Sequence, residues 1–322
     1  MTPPISGPGA VTPSGAAHQE ASTSSQPLGP SPASPRPQKP LGRTEQLMRV
    51  QLQRPQHDGT PERTGSLTTG IWSLDPDGRP SGLSAAVVMD NTLATSIHAA
   101  AADLDWIVTT ELQLNFILPL PADGTVLEAW TSAVLVDSMG GMSQGTLQGP
   151  DGTIHVQSVG WFQGVGANSS DALDHYSRMA ALPLGPETEV PLATMLRMQG
   201  TPGTTDDDRP RVSEGFRPGP LFADNEELMN PHGAVHGGAL TMMSGLAAQQ
   251  AMPDRTDYDL QSLRALFLRP ARGAVTARTR VRHAGRSLRI VDVELVGGVT
   301  DVGNPAASKP FVQAEAVFRA AR

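Results

Sequence analysis

A chain of 322 residues, 38 % of them apolar, is long enough for two domains of ordinary size, each with its own core. The formal net charge of -8 removes any general attraction to nucleic acid or acidic membrane, and the absence of cysteine excludes disulfides, thiolate nucleophiles and thiolate metal sites. The opening run MTPPISGPGAVTPSG has neither the basic start nor the apolar core of a signal peptide, so a cytoplasmic location is expected.

Residues 1–42 are mostly Pro, Ser, Gly and Ala, a composition that buries too little surface to offset the entropy of ordering, and they are predicted to be a disordered tail. The mixed charges of Thr44 to Arg54 predict a short helix, and Gly65 to Leu74 reads as the first strand of a domain spanning 60–165. The apolar run Ala85 to Ala102 contains Asp90 and His98; it is too short and too polar to span a bilayer. Residues 166–211, rich in Pro, Gly and Asp and carrying the acidic run Asp206 to Asp208, predict an interdomain linker, in which Leu182 to Met198 could pack on a domain surface. A second domain is predicted over 212–322.

The two domains are copies of one unit. The stretch Asp75-Pro-Asp-Gly-Arg-Pro-Ser81-Gly82-Leu83 matches Asn230-Pro-His-Gly-Ala-Val-His236-Gly237-Gly238, with Pro, Gly and Gly at the same offsets. Each is followed by an apolar helix candidate, Ser84 to Ala102 and Ala239 to Met252, then by an apolar strand ending at Pro119 or Pro270 and two further long strands. Asp90 precedes Phe162 by 72 residues and Gly245 precedes Phe318 by 73, a shared spacing that marks a duplicated structural unit. Val291, Val293 and Leu295 alternate with Asp292 and Glu294, the period of an antiparallel sheet with one buried face. The helices are apolar nearly all round, as a helix enclosed by sheet and neighbour requires. The expected fold is therefore α+β, each unit a long central helix wrapped by a curved antiparallel sheet.

The pattern Asn230-x-x-Gly233-x-x-His236-Gly237-Gly238 before an apolar helix resembles the hotdog-fold acyl-CoA thioesterases of the phenylacetate-degradation type, here duplicated as a double hotdog. The resemblance implies that backbone N–H groups of the His-Gly-Gly turn bind the thioester carbonyl, where the helix dipole favours an oxygen gaining negative charge. It also implies an acid nine residues after the His, acting with the turn of the opposing unit. Gly245 stands at that place in the second copy, whereas nine residues after Ser81 stands Asp90. The losses are complementary, so one composite site is expected, with Asp90 facing Asn230, His236, Gly237 and Gly238. Asp90 would act as general base or nucleophile, Gly237 and Gly238 as oxyanion donors, Asn230 to position water or substrate, and His236 to hold the turn or bond the carbonyl. A core histidine, a turn-shaping asparagine and a locally satisfied acid are the alternatives, and His98 and His232 have no partner in the motif.

Charge is unevenly distributed. From Pro80 to Ser177 there are ten acids and no Lys or Arg, whereas Gln261 to Val291 holds eight arginines and no acid. Arg278, Arg280 and Arg282 share one strand face and, with Arg286, are candidates for the phosphates of coenzyme A; the alternative is that these arginines pair with acids of the other copy. The expected activity is hydrolysis of an acyl-CoA, with coenzyme A as part of the substrate and no metal or organic cofactor. The alternatives are an acyl-CoA binding protein without turnover and a hotdog enoyl-CoA hydratase or dehydratase, although neither helix begins with the Asp-x4-His pair the latter suggests. Pairing of two double hotdogs through their sheets is open to such a chain.

Overall fold

The computed structural model describes residues 41–53, 61–101, 104, 106–200, 212, 214–252, 257–298 and 309–321. Apart from Leu41 and Gly42, the predicted tail lies outside the described residues, as does the acidic run Asp206 to Asp208. In chain order the elements are α1 (Arg43–Leu47), β1 (Val50–Leu52), β2 (Glu62–Thr68), α2 (Ala85–Ala100), β3 (Trp106–Phe116), β4 (Val126–Asp137), β5 (Gly140–Gln148) and β6 (Ile154–Val165). They continue with α3 (Ser170–Ala180), α4 (Leu192–Met195), β7 (Met198–Gln199), β8 (Arg217–Phe222), α5 (Gly237–Gln250), β9 (Tyr258–Phe267), β10 (Val275–Ala284), β11 (Leu288–Gly297) and β12 (Val312–Ala320).

The twelve strands of the described residues form one antiparallel sheet in the order β1-β2-β4-β5-β6-β3-β9-β12-β11-β10-β8-β7. Read outward from the centre, β3-β6-β5-β4-β2-β1 on one side is matched by β9-β12-β11-β10-β8-β7 on the other. The duplication is thus a pseudo-two-fold axis between β3 and β9. That seam pairs Glu111 with Leu266, Leu112 with Ala265 and Leu114 with Leu263, and Arg264 donates to both oxygens of Glu111 at 2.7 and 3.0 Å. Each half curls around its own helix, α2 against β2 to β6 and α5 against β8 to β12, and the two helices pack on each other. This is the double-hotdog architecture.

Enclosure explains the helix composition. In α5 every residue from Gly238 to Ala248 is buried, so no polar face is needed. Facing it, Val291, Val293 and Leu295 are buried on β11 while Asp292 and Glu294 point to the outer face, as their alternation predicts.

Local expectations shift in three places. The helix predicted from Thr44 to Arg54 stops at Leu47, because Arg49 takes a left-handed φ of 54° and Val50 to Leu52 pairs with the edge strand β2. The strand predicted from Gly65 to Leu74 runs from Glu62 to Thr68 and then turns into a single helical turn, Ile71–Ser73, which folds the buried Trp72 back so that its ring N–H donates to Thr68 O at 2.9 Å. The predicted linker carries α3, α4 and β7, and α4 buries Leu192 and Met195.

Candidate active site

The two copies enter their helices through the same device. Asn230 Oδ1 accepts from the N–H groups of His232 and Ala234 at 2.9 and 3.2 Å, and Asp75 Oδ1 accepts from those of Asp77 and Arg79, both at 2.9 Å. Gly233 and Gly78 follow three residues later with φ of 66° and 76°, the left-handed conformation that favours glycine. Asn230 thus shapes its turn through its side-chain oxygen, which is engaged locally. Three residues further on, the helix cap accepts from the backbone two positions ahead: His236 Nδ1 from Gly238 N at 3.0 Å, and Ser81 Oγ from Leu83 N at 3.2 Å.

Where the copies meet, Asp90 of α2 reaches the start of α5. Its Oδ2 accepts from Gly238 N–H at 2.8 Å, lies 3.4 Å from His236 Nδ1, and its Oδ1 accepts from Thr109 Oγ at 2.6 Å. Asp90 and His236 are each 5 % exposed. A buried carboxylate is unfavourable unless it gathers donors, and here it has an amide at a helix N-terminus, a hydroxyl and an imidazole. Burial still pushes the Asp90 carboxyl above the usual carboxylate range, against the pull of the His236 charge, Thr109 and the Gly238 amide. Glycine at 237 is required by the same closeness, since a Cβ there would lie 2.7 Å from Asp90 Oδ2. The geometry thus brings together Asp90, His236, Gly237 and Gly238, the four candidates the motif singled out besides Asn230.

Three neighbours were not visible in the motif. Thr109 comes from β3, Asn91 Nδ2 lies 3.0 Å from His236 Nε2, and Glu45 Oε1 on α1 lies 3.6 Å from the same nitrogen. His232, given no role by the motif, packs edge-on against Trp106 at 5.5 Å between ring centres, which ties the second copy's turn to the first copy's strand β3.

The pseudo-symmetric half-site is closed by a side chain. Gly245 occupies the place of the acid, and a Cβ built on it would overlap Leu83 Cδ2, so Leu83 fills the volume that a carboxylate would need. Gly245→Ala is expected to cost about 1–3 kcal/mol by overpacking, and less in a Leu83→Ala background, with a coupling of about 1 kcal/mol or more. Urea unfolding of the four proteins checks this, and strictly additive losses would show that the two residues do not compete for space.

The arginines of the basic run find acid partners both within their own half-sheet and across the copies. Arg278 pairs with Glu294 at 2.5 Å, Arg280 with Asp292 at 2.6 Å, and Arg282 with Glu315 and Asp292, all carboxylates of the same half-sheet on its outer face. Cross-copy pairing belongs instead to Arg264 with Glu111 and to Arg79 with Asp259 at 3.8 Å. Arg286 lies in the β10–β11 turn, where its carbonyl accepts from Tyr258 OH, and Tyr258 shares a cleft with Gln249 near the C-terminal end of α5. Arg280→Gln is accordingly expected to change KM for an acyl-CoA by less than about twofold, equivalent to under ~0.5 kcal/mol. A tenfold rise in steady-state KM would return this arginine to the phosphates.

Residues 226–319 match the family model described as acyl-CoA thioesterase N-terminal domain. No curated protein matches the chain by sequence. Among solved structures, the tesB protein of Mycobacterium avium subs paratuberculosis superposes with a TM-score of 0.57 at 11 % identity, covering 87 % of this chain and 98 % of its own. Acyl-CoA thioesterase II TesB2 of Mycobacterium marinum superposes with a TM-score of 0.53 at 12 % identity, covering 86 % and 98 %. These likenesses establish the fold across both halves: the chain is a double hotdog whose residues 226–319 match the model of the acyl-CoA thioesterase N-terminal domain.

Proposed function

We propose that this protein hydrolyses an acyl-CoA thioester to a carboxylic acid and free coenzyme A at one composite site, built from Asp90 of the first unit and the His236-Gly237-Gly238 turn of the second. The observation that carries the reading is the 2.8 Å hydrogen bond from Gly238 N–H to Asp90 Oδ2, made between residues 148 positions apart, which brings a carboxylate and a helix N-terminus to one point. A thioester carbonyl held at that turn gains negative charge as it becomes tetrahedral, and helix-terminal amides favour the charge. Asp90 either takes the proton of the attacking water or attacks the carbonyl itself; the C–S bond then breaks and the thiolate leaves as coenzyme A, and on the second route water hydrolyses the resulting Asp90 anhydride to release the carboxylic acid. Arg272, exposed on the segment beside the Gly233 turn, where its guanidinium donates to His232 O at 3.4 Å, is the arginine of the basic run assigned here to the coenzyme A phosphates.

Release of free thiol from a panel of acyl-CoA esters of increasing chain length tests the reading. Turnover of at least one ester that disappears in Asp90→Asn supports it. Binding without thiol release would make the protein an acyl-CoA carrier instead.

A further inference from the structure

The thioesterase reading leaves one buried ionisable group without a task. Glu45 on α1 is 4 % exposed, as buried as the pair it adjoins, and its Oε2 has no hydrogen-bond partner. The segment that delivers it is firmly held. Arg43 pairs with Glu227 at 3.2 Å and donates to Leu182 O at 2.8 Å, Thr44 Oγ donates to Glu227 O at 3.2 Å, and Gln46 Nε2 donates to Ala180 O at 2.8 Å. Leu47 and Met48 behind it are buried. Glu45 is therefore placed, with its Oε1 toward the His236 ring.

The protons around that ring are over-determined. Gly238 N–H lies 2.8 Å from Asp90 Oδ2 and 3.0 Å from His236 Nδ1, two acceptors that are themselves 3.4 Å apart. The single amide hydrogen is shared between them in a three-centre arrangement, and the two facing lone pairs repel unless a proton sits between them. A proton on Nδ1 gives up the cap that this nitrogen accepts from Gly238 N–H, turns the ring into a second donor to Asp90 and leaves the amide to the carboxylate alone. On the other side, Nε2 faces Glu45 Oε1 at 3.6 Å and the Asn91 carboxamide at 3.0 Å. Turning its oxygen toward the ring costs Asn91 the bond its Nδ2 donates to Val87 O at 3.1 Å, but charge-assisted bonds are roughly twice as strong as neutral ones, so the carboxylate outweighs the amide.

We propose that Glu45 is a positioning residue of the thioesterase site, acting through His236: it holds the imidazole in its doubly protonated form between two carboxylates, so that Asp90 stays ionised and aimed in a buried setting. This rests on the thioesterase reading given above. The groups facing His236 are Glu45 from α1 and Asp90 from α2, with no acid in the first turn of its own helix; Tyr176 of α3 lies by Glu45, its phenol pushed up by burial and then by that charge, and Arg43 is already paired with Glu227. Burial disfavours the charged ring, but the bond and charge of Glu45 with the charge of Asp90 outweigh it and hold His236 above its ordinary value. Glu45 stays below its own ordinary value despite burial, through the bond and charge of His236. For Asp90, burial is the leading influence upward and the charged ring the leading one downward.

The test compares kcat/KM against pH for the full chain and for Glu45→Gln, using an acyl-CoA that the unaltered protein hydrolyses, together with NMR titration of the His236 ring. Losing Glu45 lets the ring release its proton, which raises the pH at which Asp90 ionises by more than removal of the nearby Glu45 charge lowers it. The acid limb of the profile is expected to move up by about one pH unit, an approximately tenfold loss below the limb that closes at high pH, with a fall in the His236 titration. Glu45→Asp, which keeps the charge, is expected to lie between the two. Superimposable profiles, or an equal loss at every pH with an unchanged His236 titration, overturn the proposal. If no acyl-CoA is hydrolysed the thioesterase reading falls by itself, and the ring titration alone decides the part of Glu45: a ring already neutral at about pH 6 in the unaltered protein overturns it. The same titration, with Glu45→Asp, decides it if Glu45→Gln does not fold.

Discussion

Asp90→Asn is expected to lower kcat by about 10²-fold or more while leaving KM for the acyl-CoA within a few-fold of the unaltered protein. The substitution keeps the shape of the side chain. A carboxamide oxygen can still accept from Gly238 N–H, and its NH2 can meet the Thr109 hydroxyl, so the two partners at 2.8 and 2.6 Å remain served and α2 and α5 stay packed. What disappears is the negative charge that takes a proton from water or attacks the carbonyl. Loss of the buried carboxylate, which burial pushes above its usual range, also relieves the folded state, so the variant should be no less stable. Steady-state thiol release across a substrate range, with urea unfolding alongside, separates the two effects. A variant that turns over at the original rate would remove Asp90 from the chemistry.

Gly238→Ala is expected to be the most damaging single-methyl change in the site. A Cβ at this position would stand 2.6 Å from Val87 Cα and 2.9 Å from both Ala86 O and Val87 N. These are main-chain atoms of α2, which cannot rotate aside as a flexible side chain would, so the two central helices must separate. Because α2 and α5 each fill the core of one half, the cost is expected to reach about 3 kcal/mol or more, with loss of the Asp90 to Gly238 contact and of activity. Gly166→Ala, where a Cβ meets nothing within 4 Å, serves as the control and is expected to be near neutral. Equal stability of the two variants in urea would show that the helices are not in contact as described.

The pairing of Gly238 with Ala86 and Val87 also explains why the two copies could diverge so unevenly. On the Asp90 side, glycines at 237 and 238 leave room for a carboxylate and a close helix crossing. On the opposite side, Leu83 replaces the second glycine and its side chain takes the space over Gly245. A carboxylate at 245 and the present position of the Leu83 side chain would compete for the same space.

The amino-acid sequence by itself determined the duplication, the order of helix and strands in each copy, and the complementary loss that leaves Asp90 opposite His236 and Gly238. Those features are local or periodic. An Asn or Asp followed three residues later by glycine dictates its own turn, an all-apolar run dictates a buried helix, and a repeat spacing survives divergence because the unit must keep its length. Only the tertiary structure decided that Asn230 serves its own turn, that Arg278, Arg280 and Arg282 pair with acids on their own sheet, and that Glu45, Asn91 and Thr109 surround the site. Glu45 sits in a short mixed-charge segment with no pattern to mark it, Asn91 meets its ring 145 residues away, and the acids that claim the arginines lie on neighbouring strands. Such choices depend on which groups the folded chain brings within a few ångströms, and distance along a sequence carries no record of that.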